Sequence, residues 1–93
     1  MTKATARHIL VDTEEQCQSL KDEIDGGADF ADLAGKHSSC PSGQRGGELG
    51  EFSPGMMVRE FDEVVFSADV NTVQGPVKTQ FGYHLLEVTS RTD

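Results

Sequence analysis

The stretch from Ser38 to Phe61, SSCPSGQRGGELGEFSPGMMVREF, constrains the fold more than any other part of the chain. It places Gly43, Gly46, Gly47, Gly50 and Gly55, two prolines and the thiol of Cys40 between two periodic segments. Glycines concentrated in this way serve tight turns and close backbone approaches. The stretch narrows to a strand-like run from Glu48 to Phe52 and ends with Met57 and Phe61 four apart, the spacing of one helix face. A loop that sets out apolar side chains needs a surface opposite them.

The flanking segments supply candidates for that surface. Ala4 to Val11 alternates as a strand, with Ala6, His8 and Leu10 on one face and Thr5, Arg7, Ile9 and Val11 on the other. Thr13-x-x-Gln16 is a capping-box pattern that opens a helix, Cys17, Leu20 and Ile24 follow at helical spacing, and Gly26-Gly27 ends it. Asp29 caps a second, shorter helix whose inner positions are Phe30, Leu33, Ala34 and His37. His37, in the last turn, complements the helix C-terminus and needs no chemical role. After the loop, Met57, Phe61, Val64, Val65 and Ala68 share one arc of a third helix, from which Phe66 departs. The last third reads as a hairpin: Gly75 to Thr79, a turn through Gln80-Phe-Gly-Tyr, and His84 to Arg91 with His84, Leu86 and Val88 on one face. Pro76 places its strand at a sheet edge. The order β-α-α-(α)-β-α-β-β predicts an α+β fold, an antiparallel sheet with helices packed against it.

Ninety-three residues make one domain with one small core, burying about 60–65% of the unfolded surface. A net charge of −8, from 16 acids against 8 bases, repels phosphate backbones and anionic membranes, so nucleic acid and membrane are not expected partners. No apolar run approaches the roughly 18–20 residues of a bilayer span, and the N-terminal MTKATARH lacks the apolar core of a signal peptide. The expectation is a cytoplasmic, soluble monomer. Cys17 and Cys40, with no CxxC spacing, are expected to be free thiols.

Two histidines on strand faces and a thiol in a loop admit several chemistries, each requiring that they meet in space. Taken singly, each histidine is as readily a satisfied core residue. Cys40 with His8 or His84 supplies two parts of a nucleophilic triad, but no local protease signature surrounds it. A zinc site from the same three residues lacks the paired ligands at close spacing that such sites use. Nucleotide binding is excluded because GxxxxGK[ST] is absent and the charge is wrong. Met57 and Phe61 read most simply as core.

FADLAGKHSSCPSGQRGGELGEF, followed by GMMVREFDEVVF and GPVKTQFGYHLLEV, resembles the parvulin family of peptidyl-prolyl cis/trans isomerases, the small free-standing bacterial members above all. The resemblance runs from about His8 to Arg91. It implies a single domain over 1–93 with the family's FKBP-like four-stranded antiparallel sheet surrounded by helices. It also implies that His8 and His84 are paired inner histidines with Cys40 and Thr79 beside them. Leu49, Met57 and Phe61 then form the pocket for a proline ring, Phe52 lines its side, and Gln80 and Phe81 lie in the adjoining turn. The implied activity is non-covalent isomerisation of X-Pro bonds in peptides and in unfolded or folding proteins, without cofactor or metal. The alternative is a chaperone-like module that binds proline peptides without turnover.

Three departures from the family pattern carry expectations of their own. Glu60 stands where many members have proline, Asn71 where glycine is usual, and after Val11 the chain reads DTEEQ rather than a basic cluster. No preference for phosphoserine or phosphothreonine before proline is therefore expected, and Asn71 is expected to adopt positive φ.

Overall fold

The computed structural model describes residues 2–92. Strand β1 (Lys3–Val11) leads into helix α1 (Glu14–Asp25) and helix α2 (Phe30–His37). A 3-10 turn (Pro41–Arg45), strand β2 (Glu48–Phe52), helix α3 (Arg59–Val65) and strands β3 (Val73–Thr79) and β4 (Gly82–Thr92) follow. The four strands form one antiparallel sheet in the order β2-β1-β4-β3. The 3-10 turn occupies the place of the bracketed helix in the expected order.

Local chemistry sets the helix boundaries. The hydroxyl of Thr13 accepts from the Gln16 N–H at 3.2 Å and the carboxylate of Asp29 accepts from the Asp32 N–H at 3.0 Å, so each helix starts where its cap stands. Asn71 has φ 65° and donates its N–H to the Val88 carbonyl at 2.7 Å, as its position in place of glycine required. Pro76 lies in β3, an edge strand, where the missing donor faces no partner.

Strand alternation divides the core in two. Ile9, Val11 and Leu85 on one face of the sheet pack with Cys17, Leu20, Phe30, Leu33 and Ala34 of α1 and α2. Ala4, Ala6, Leu86 and Val88 on the other face pack with Phe52, Phe61 and Val65. His8 and His84 continue this second face. Both are buried, and both line a cleft on this face of the sheet.

Helix α3 differs from the sequence expectation. It begins at Arg59, so Met57 lies in the preceding loop rather than on the helix. Val58 caps it without a side-chain hydrogen bond. Phe66 is its C-cap and packs edge-on against Phe52 with ring centroids 6.0 Å apart, which accounts for its departure from the helical arc. The guanidinium of Arg91 closes this end, donating to the carbonyls of Val65 at 2.8 Å and Ala68 at 2.6 Å.

Candidate active site

Register brings the histidines together. His8 pairs across the ladder with Leu86 and Leu10 pairs with His84, so the two histidines are diagonal neighbours on one face. Their rings lie 17° from parallel, and Nδ1 meets Nδ1 at 3.0 Å. The ring of Phe61 stands edge-on to both, with centroids 5.5 Å from His8 and 4.7 Å from His84.

The outer nitrogens are also engaged. His84 Nε2 lies 2.8 Å from Thr79 Oγ1, which accepts from the Phe81 N–H at 3.1 Å. His8 Nε2 lies 3.1 Å from Ser42 Oγ, which lies 3.3 Å from Cys40 Sγ. One direction of donation satisfies every N–H and O–H in this chain. The Thr79 hydroxyl donates to His84 Nε2, His84 Nδ1–H to His8 Nδ1, His8 Nε2–H to Ser42 Oγ, and the Ser42 hydroxyl to Cys40 Sγ. In the reverse direction Thr79 Oγ1 receives two protons and its own hydroxyl has no acceptor in the chain. The first direction, which leaves only the weakly donating Cys40 S–H unused, is the one we assign, and it sets the tautomers of both histidines.

Both rings are neutral. Burial lowers the pKa of His8 from 6.5 to about 4, and the neighbouring charge that His84 would carry lowers it further in the same direction. Burial likewise lowers His84 to about 4. The other thiol stands apart: Cys17 is fully buried on the inner face of α1, and burial together with Glu14 raises it to about 11. Both cysteines are free.

A cleft of about 340 Å³ opens over the histidine pair. Leu49, Met57, Val58 and Phe61 form its apolar wall, His8 and His84 its floor, and Leu10, Cys40, Pro41 and Phe81 the opposite side. A larger depression of about 600 Å³ lies against Glu14, Glu15, Gln18, Asp22 and Pro76, but it lacks apolar walls able to enclose a ring. Among the described residues, no group of three or more His, Cys, Asp or Glu side chains is placed to hold a metal ion.

Residues 1–92 match the PPIC-type PPIASE domain. The chain belongs to the parvulin family of PPIC-type domains. It is 44% identical over 92 residues to the foldase protein PrsA of Geobacillus sp., covering 98% of this chain and 33% of that protein. It is 41% identical over 92 residues to foldase protein PrsA 4 of Bacillus cereus, again covering 98% and 33%. The chain therefore spans about a third of the length of these curated relatives. Among solved structures it resembles the peptidylprolyl isomerase PrsA from Bacillus anthracis with TM-score 0.96 and 33% identity, over 99% of this chain and 43% of that one. It resembles NmPin, the parvuline of Nitrosopumilus maritimus, with TM-score 0.86 and 32% identity, over 97% and 98%.

Within this parvulin domain most of the expected site residues converge. His8, Cys40, Leu49, Met57, Phe61, Phe81 and His84 line the cleft, and Thr79 supports His84 from behind. Two of the expected residues stand outside this lining. Phe52 is buried in the core behind Phe61, with its ring against Phe66, and is not among the cleft-lining residues. Gln80 is exposed in the turn and is likewise absent from the lining; the backbone of that turn orients Phe81 instead.

Ser42 is the residue that pattern reading overlooked. It sits in the 3-10 turn, 4% exposed, and links His8 to Cys40. A small polar residue in a polar loop carries no periodic signal. The close approach of Gly47, where a Cβ would collide with the His8 carbonyl oxygen, reflects how tightly the loop is pressed onto β1.

Proposed function

We propose that this domain catalyses cis/trans isomerisation of X-Pro peptide bonds without a covalent step. The observation that carries the reading is the cleft, an apolar three-sided seat formed by Leu49, Met57 and Phe61 directly over two neutral histidines whose hydrogen bonds close on one another. A proline ring fits such a seat, and no titrating group lies beneath it at neutral pH.

The physical demand is modest. The X-Pro barrier is about 18–20 kcal/mol, and a 10⁴-fold acceleration requires about 5–6 kcal/mol of preferential stabilisation of the twisted amide. In that state resonance is lost, the carbonyl becomes less polar and the prolyl nitrogen gains a lone pair. A dry seat favours the change, because solvent that stabilises the planar, polar amide is excluded. Leu49, Met57 and Phe61 hold the ring while the preceding carbonyl turns beside Cys40. The histidine chain fixes the orientation of Ser42 and therefore of the hydrogen bond that Cys40 accepts. Cys40 acts as a polar neighbour in this scheme, not as a nucleophile.

The substrates are prolines in flexible or unfolded chains. Relatives named foldases support this class, and the exposed Phe81 at the lip offers apolar contact beyond the ring. No phosphate before proline is preferred: α1 starts with Glu14 and Glu15, and Arg7 is engaged by Glu87 at 2.6 Å.

A second reading, binding without turnover, draws on the exposed Met56 and Phe81 near the cleft. Exchange spectroscopy separates the two. With catalytic amounts of the domain, cis and trans resonances of an Ala-Pro peptide should show exchange cross-peaks; peptide binding without such peaks would leave only the binding module.

A further inference from the structure

The jaw of the cleft that carries Met57 is the less supported one. Residues 53–58 leave the sheet after β2 and enter α3 through Val58, which offers no capping side chain. Within this loop the Met56 N–H donates to the Ser53 carbonyl at 3.2 Å and the Ser53 N–H to Met56 Sδ at 3.3 Å, and the Val58 carbonyl accepts from the Phe61 and Asp62 N–H groups at the first turn of α3. Between these two ends, the bond to another element runs from the Gly55 N–H to Asp62 Oδ2 at 2.6 Å. Gly55 has φ 89°, a conformation that turns its N–H toward α3 at little cost only because no Cβ is present.

Asp62 follows Phe61 directly, so the same turn of helix that presents the ring against both histidines also grips the loop. The other carboxylate oxygen, Oδ1, is buried without a hydrogen-bond partner. An unsatisfied buried oxygen is unfavourable, which points to the Gly55 bond as the interaction that keeps a carboxylate here.

We propose that Asp62 is a positioning residue for the proline seat: its bond to Gly55 holds residues 53–58 so that Met57 stands opposite Cys40 in the cleft. The proposal rests on the reading of this cleft as the proline site. It assigns Asp62 no contact with substrate. The bond fixes ring affinity through Met57 and leaves the hydrogen-bond chain beneath the cleft untouched.

The test combines peptide affinity, turnover and the methyl resonance of Met57. In Asp62→Ala, an Ala-Pro peptide should bind about tenfold more weakly, the scale of one lost charge-assisted hydrogen bond, with kcat changed much less than KM. The Met57 methyl shift should move toward that of an exposed methionine, while the ring ¹⁵N shifts of His8 and His84 stay in place. Asp62→Asn, which can still accept from Gly55, should recover most of the affinity. In the unaltered protein the Gly55 amide should exchange slowly with solvent, a measurement that does not depend on any variant folding. Rapid Gly55 exchange, an unchanged Met57 methyl in Asp62→Ala, or equal impairment of the Ala and Asn variants would overturn the assignment. Wild-type binding without turnover would instead remove the isomerase reading and leave the assignment standing.

Discussion

His8 and His84 face each other Nδ1 to Nδ1 at 3.0 Å, so a single proton lies between them; a second proton breaks the pair if it enters at His8 Nδ1 and displaces the Thr79 hydroxyl if it enters at His84 Nε2. The native state therefore binds fewer protons than the unfolded chain once pH falls below 6.5. The sign follows by linkage: the lowered pKa values leave stability unaffected above pH 6.5 and cause it to fall from there to about pH 4, below which no further loss arises from this pair. Urea unfolding between pH 7 and 4, alongside the ring ¹⁵N shifts, measures this. Imidazolium shifts for either ring in the folded protein at pH 6 would contradict it.

Replacing His84 with alanine strands Thr79 and removes the partner of His8 Nδ1. Leaving buried polar groups unpaired costs about 1–3 kcal/mol each, so His84→Ala should lower unfolding stability by several kcal/mol. Turnover measured below its unfolding midpoint should also fall, since the tautomer of His8 is no longer fixed.

Met57→Ala tests the seat itself. The side chain is half-buried, and losing its outer contacts should weaken proline-peptide binding by about 1–2 kcal/mol, roughly 5- to 30-fold. Because the residue stands in a loop and packs only against the margin of the core, the melting temperature should change less than for a fully buried side chain. A binding loss matched by an equal stability loss would return Met57 to the core role that its spacing first suggested.

Cys40 accepts a hydrogen bond from Ser42 and otherwise lines the cleft. Aspartate or serine in its place retains an acceptor, and both variants should keep activity within about tenfold. Alanine leaves the Ser42 hydroxyl without an acceptor and should cost about 1–2 kcal/mol in kcat/KM. A folded Cys40→Asp without activity, beside an active Cys40→Ser, would show that a carboxylate is not tolerated.

Arg91 tests the far end of α3. Its guanidinium satisfies two carbonyls, and Arg91→Met should destabilise the domain by about 2–3 kcal/mol through loss of charge-assisted bonds, with a smaller effect on kcat/KM.

Strands and caps were legible because they are local. The alternation of β1 and β4 placed His8 and His84 on inner faces, and Thr13 and Asp29 announced the starts of their helices. The start of α3 was not legible, because Met57 and Phe61 share a helical spacing whether or not the intervening residues are helical. The meeting of the histidines was also hidden: it depends on strand order and register, which place Leu10 beside His84 across the sheet. Phe52 illustrates the same limit. The family resemblance suggested a wall of the cleft, whereas the strand's alternation and the packing of Phe66 carry its ring into the core. Ser42 carried no signal until three dimensions connected it to two groups far from it in the chain.

The loop from Ser38 to Gly47 is hung on β1 at both ends. The Ser39 N–H donates to the Leu10 carbonyl at 2.7 Å, the Leu10 N–H to Ser38 Oγ at 3.1 Å, and the His8 N–H to the Gly47 carbonyl at 2.9 Å. Cys40 thus moves with the sheet. The opposite jaw is suspended from a short helix and a single side-chain tether. The cleft is consequently a vise with one fixed plate and one adjustable plate, and it accommodates prolines with different neighbours by yielding on the methionine side alone. Microsecond-to-millisecond exchange on binding a proline peptide should therefore be confined to residues 53–58, while the Cys40 plate keeps its place.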